Sequence, residues 1–134
     1  MPIVDLHCDT LTELEKRNKA LRHNDLNLDL ERMQKFDVKL QDFAIFVRLT
    51  EYRNLDDAWE YTLGMCDFFH NQMAENEDLV LPVNAYTDVE KAQKEHKIAA
   101  MLSVEEGGIL GEDINRVQEL YNKGVRLLTL NWNY

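Results

Sequence analysis

The chain has 134 residues, enough for one domain with a real core, and 45% hydrophobic content, ordinary for a globular protein. With 15 Lys+Arg against 25 Asp+Glu its formal charge is −10. That balance argues against nucleic acid and anionic membrane surfaces as partners. No apolar run approaches the ~18–20 residues of a membrane span, and no basic region followed by an apolar stretch opens the chain. Two cysteines, Cys8 and Cys66, are expected as reduced thiols, and the expected location is cytoplasmic. Low-complexity segments, Pro/Gly-rich linkers and short repeats are absent, so residues 1–134 read as a single segment.

In chain order, the apolar run Ile3–Cys8 is predicted as a strand. Residues 28–36 are predicted as a short helix with Leu30, Met33 and Phe36 on one side. Residues 42–49, "DFAIFVRL", are nearly all apolar, as in a strand covered on both faces. Residues 54–76 are the clearest helix: Asn54 or Asp56 can cap it, and Leu55, Ala58, Trp59, Thr62, Leu63, Cys66, Phe69 and Met73 follow the 3.6 period. "LVLPVNA" at 79–85 is an edge strand or a connector because of Pro82. Thr87 is expected to cap a short helix, "DVEKAQKEHK". "IAAMLSV" at 98–104 is a buried strand. Residues 112–123 are predicted as a helix with Ile114, Val117, Leu120 and Tyr121 inward, its acids in the first turn and Gly124 as its stop. "VRLLTL" at 125–130 is a further buried strand.

Buried strands alternating with helices predict an α/β fold with a parallel sheet and outer helices. On this pattern a Rossmann sheet and a (βα)8 barrel both remain open. The missing G-x-G-x-x-G after the first strand and the missing G-x-S-x-G count against dinucleotide binding and an α/β-hydrolase.

Ligands in parallel α/β folds bind at the C-terminal strand ends. His7 and Asp9 stand at the end of the first strand, and alternation sends both to one side with Cys8 facing away. An imidazole and a carboxylate converging there make a seat for a divalent metal. The plainer alternative has Asp9 capping a helix and His7 bound to a backbone group. Glu105 and Glu106 follow the strand at 98–104, with Gly107 and Gly108 allowing a tight turn. Two adjacent acids repel unless one is bound to something, and a carboxylate can bridge two metal ions ~3.5–4 Å apart. An ordinary acidic loop with Glu106 solvated is the alternative.

Taken together, "DLHCDT", "LSVEEGG" and "GVRLLTLNWNY" resemble the renal or membrane dipeptidase family over the whole chain, in a form closer to bacterial than to animal members. The resemblance implies the first half of a (βα)8 TIM barrel of the amidohydrolase-like group, with about four parallel strands. It implies a zinc-dependent dipeptidase that hydrolyses dipeptides with a metal-activated water. By position, His7 and Asp9 would bind one zinc. The family's spacing back from Gly124 assigns the bridge between two zinc ions to Glu105 rather than Glu106. Trp132 stands where animal members have a substrate-touching histidine; it is carried as a lining residue of the substrate pocket, with simple cover of the barrel rim as the alternative. Two more zinc-binding histidines and an aspartate general base come from later strands in the family, so the general base is expected beyond Tyr134. His23, His70 and His96 are read as solvent-facing. This segment would hold at most one zinc, weakly, and would be inactive without the C-terminal half of the barrel or a second copy. A non-enzymatic half-barrel, stable only as a homodimer, is the alternative from another class.

Overall fold

The computed structural model describes residues 1–132; Asn133 and Tyr134, the end of the last motif, lie outside the described residues. Five parallel strands form one sheet: β1 (Ile3–Asp5), β2 (Val38–Phe46), β3 (Val80–Pro82), β4 (Ile98–Glu105) and β5 (Val125–Thr129). β4 is central. One edge pairs with β2 from Leu40↔Ala99 to Phe46↔Glu105, and β2 in turn carries β1. The other edge is shared, β3 taking Ile98–Ala100 and β5 taking Leu102–Glu105. The four long apolar runs are therefore parallel neighbours, and the Pro82 segment is a short edge strand, as the missing N–H of proline requires.

Helices are α1 (Thr10–Lys16), α2 (Leu30–Lys35), α3 (Leu55–Glu75), α4 (Tyr86–Lys94) and α5 (Asn115–Asn122). Alternation divides the sheet into two faces. Phe43, Ile45, Val47, Ala100, Leu102 and Val104 face out and pack against Leu11 and Leu14 of α1 and Met65, Phe69 and Met73 of α3. Asp42, Ala44, Phe46, Ser103 and Glu105 take the other face. The N-terminal end of that face is closed by Ala92 of α4, packed with Val83 and Ala99. This is part of a (βα) barrel, with the large core between sheet and helices.

Asn54 caps α3, its side chain accepting the Asp57 N–H at 2.8 Å. Elsewhere the boundaries differ from expectation. β1 ends at Asp5, although the Cys8 carbonyl still accepts the Ala44 N–H at 2.9 Å. β2 begins at Val38, since a strand's flanks need no apolar run once a neighbour pairs with them. Phe36 and Leu55 are exposed. Asp88, not Thr87, caps α4, reaching back to the Asn84 and Ala85 N–H groups. α5 starts at Asn115, so Glu112 and Asp113 precede it, and Asp113 instead accepts the Asn115 N–H. Of its expected core residues only Leu120 is buried; Ile114, Val117 and Tyr121 are exposed. Gly124 takes φ +93° and ends α5 as expected.

Candidate metal centre

Three side chains meet at the C-terminal end of the inner face. His7 follows β1, Asp9 opens α1, and Glu105 is the last residue of β4. His7 Nε2 is 3.1 Å from Glu105 Oε2 and 3.5 Å from Asp9 Oδ1. One ligand atom from each lies within 4.8 Å of the others, so the three can hold a metal ion. A nitrogen with two carboxylate oxygens is a donor set that zinc accepts. Asp9 does occupy the N-cap position of α1, but its side chain makes no cap hydrogen bond. Its carboxylate is 57% exposed and Glu105's 20%, so the cluster opens to solvent on the Asp9 side.

Glu106 does not join them. It is buried at 3% exposure, with Oε1 accepting the Gly108 N–H at 2.7 Å. Its Oε2 has no hydrogen-bond partner among the described residues. Its φ is +146°, so the sharp turn after β4 falls on a glutamate rather than on either following glycine. Gly107 is needed for a different reason: a Cβ there would come within 2.8 Å of the Leu130 backbone.

Trp132 packs its ring on Phe46, centroids 5.1 Å apart, and Phe46 is the β2 residue paired with Glu105. His23 and His96 are exposed. His70 is half buried instead, and its Nε2–H donates to the Lys123 carbonyl at 2.7 Å. None of these three lies in the cluster.

Sequence reasoning passed over Asp42 and Ser103, which sit on the inner face beneath Glu105. Both are buried, and the Ser103 hydroxyl donates to Asp42 Oδ2 at 2.7 Å. Burial pushes the Asp42 carboxyl above its ordinary value; the Ser103 bond and the charge of His7 pull it back, and Asp5 pushes it up again. The available signal was a single acid heading an otherwise apolar strand. Burial likewise pushes the Cys8 thiol up to about 11 and the Cys66 thiol to about 12.

The family model for membrane dipeptidase, peptidase family M19, matches residues 1–134. The chain belongs to the membrane dipeptidase family. Among solved structures it resembles a metallopeptidase of that family, dipeptidase AC, at 19% identity and TM-score 0.85, covering 98% of this chain and 43% of that one. A Rhodobacter sphaeroides metallopeptidase bound to a phosphinate mimic of the dipeptide L-Ala-D-Ala matches at 17% identity and TM-score 0.83, covering 96% and 44%. The probable dipeptidase PvdM of Pseudomonas aeruginosa matches at 17% identity and TM-score 0.74, covering 84% and 30%. At these identities the structures speak for the fold. The chain spans 30–44% of the length of the solved structures it matches. Among the described residues no helix is long and apolar enough to cross a membrane.

Proposed function

We propose that the chain is the first half of a zinc dipeptidase barrel and carries its first metal seat, His7 and Asp9, with Glu105 as the bridge. One observation carries this reading: three ligand-type side chains, from three separate places in the sequence, converge within 4.8 Å at the strand ends where this fold binds ligands. The bound metal would act as a Lewis acid and activate a water toward a dipeptide carbonyl. Within this chain, His7 supplies a ring nitrogen close to both carboxylates, Asp9 an exposed carboxylate and Glu105 a partly sheltered one. Trp132, held on Phe46 beside Glu105, would line the substrate pocket.

Among the described residues His7, Asp9 and Glu105 are the one group of three or more metal-ligand side chains. The free thiols Cys8 and Cys66 accord with a reducing, cytoplasmic setting. Val117, Tyr121, Leu127 and Leu130, exposed on α5 and at the β5 edge, accord with further protein covering that flank, the rest of the barrel or a second copy.

The test is zinc titration of the 134-residue chain by calorimetry, with dipeptide hydrolysis measured alongside. Weak zinc binding, lost in His7→Ala and Asp9→Ala and weakening as acid protonates the ligands, is expected. No turnover above background is expected from the isolated chain. Zinc binding indifferent to both substitutions would sink the seat. Robust turnover lost in Glu105→Gln would sink the half-site.

A further inference from the structure

We propose that Asp42 is the positioning residue of this seat: with a metal bound, its buried Oδ1, which has no donor among the described residues, accepts the Nδ1–H of His7 and so presents Nε2 to the metal. The inference rests on the zinc reading above. His7 turns Nε2 toward Asp9 and Glu105. A metal seated there takes the Nε2 lone pair, which leaves the ring proton on Nδ1. Ligating histidines nearly always donate that other N–H to a carboxylate, a carbonyl or a water, which fixes both tautomer and ring orientation.

Two further acids act on the neighbourhood of His7. Asp5 already has work: its Oδ1 accepts the His7 backbone N–H at 3.3 Å. Asp42 is the better placed. Asp5 pairs with Gln41, and the Cys8 carbonyl bonds the Ala44 N–H, so β2 carries Asp42 alongside Leu6 and His7. Alternation puts Asp42 on the same face as Glu105, and it lies within electrostatic reach of His7. It is 0% exposed, and while Oδ2 takes the Ser103 hydroxyl, Oδ1 has no hydrogen-bond partner among the described residues. A buried carboxylate oxygen with no donor is costly and is kept where a site needs it.

The test compares zinc affinity of the wild-type chain, Asp42→Asn and Asp42→Leu, with circular dichroism confirming the folded fraction. Histidine labelled with nitrogen-15 reads the His7 tautomer in the zinc-loaded protein. Asp42→Leu should lose about 10–100-fold in zinc affinity, together with the ordered Nδ1–H signal. Asp42→Asn keeps the shape and can keep the Ser103 bond, and should lose affinity in the same direction by a smaller factor. If Asp42→Leu does not fold, Asp42→Asn decides alone. Affinity within twofold of wild type, or a loss of affinity with the Nδ1–H signal unchanged, would overturn the assignment of Asp42. A wild-type chain that binds zinc no better than His7→Ala would instead overturn the seat itself, and this inference with it.

Discussion

The two faces of the sheet are built on opposite principles. The outer face is dry and closed: Phe43, Ile45, Leu102 and Val104 lie under α1 and α3 with almost no exposure. The inner face is mixed: Ala99 packs with Ala92 and Val83 at its N-terminal end, while Asp42, Ser103 and Glu105 lie along it toward His7 at the rim, and the neighbouring flank of β5 and α5 leaves apolar side chains in water. Stability therefore belongs to one side and chemistry to the other. A parallel sheet lets strand alternation assign them independently, residue by residue.

The comparison is sharpest in the core. Phe69→Ala on α3 empties a site packed against Phe43 and should cost ~3–5 kcal/mol, read from a urea unfolding curve. A loss under about 1 kcal/mol would mean that the outer face is not the stabilising layer. Smaller and opposite in sign is the rim. Glu106→Gly relieves a non-glycine residue at φ +146° but gives up the bond its Oε1 accepts from the Gly108 N–H, and should raise stability by ~1–2 kcal/mol. Zinc affinity should not follow, because Glu106 is not one of the three clustered ligands and is held by the Gly108 N–H; a parallel loss of affinity would tie the turn to the metal centre.

These two residues also mark what could be read in advance. The core was legible because covered strands and a long amphipathic helix leave local periodic signals, so the apolar runs within β2, β4 and β5 and the stripe of α3 were visible. The clustering of His7, Asp9 and Glu105 could be anticipated because strand ends in parallel folds share one mouth. α1 was not read as a helix: Leu11 and Leu14 are only two apolar positions among charged neighbours. The exposure of Ile114, Val117 and Tyr121 was illegible in principle, since an amphipathic stripe shows which side wants cover, not whether cover is present. Burial of Glu106 left no trace either, because it is imposed by the turn onto Gly108 rather than by any local pattern.

A third test uses pH. Asp29 is buried at the N-cap of α2. Burial pushes its carboxyl up, but the backbone N–H and guanidinium of Arg32 and the backbone N–H of Asn24 more than offset that, holding it below the ordinary value. A depressed carboxyl stabilises above its unfolded value, ~3.9, and the benefit is lost as pH falls through the lower folded value. Asp29→Ala should therefore cost ~1–2 kcal/mol at pH 7. The gap to wild type should narrow as the pH falls below about 4, and a gap that widened in acid would contradict the sign. The smallest effect belongs to the uncovered flank: Val117→Ser should change stability by less than about 0.5 kcal/mol in thermal melts. A larger loss would show that α5 is covered in solution.

Cys8 sits between His7 and Asp9 in the sequence yet packs against the large core on the other side. With its thiol held near 11, it carries almost no thiolate at neutral pH. A soft sulfur is thus placed one residue from an imidazole and one from a carboxylate and kept out of their company. If the proposed seat holds a metal, its donors are nitrogen and oxygen, so manganese or cobalt should replace zinc there more readily than copper(I) would. Alkylating agents and mild oxidants should accordingly react slowly at Cys8.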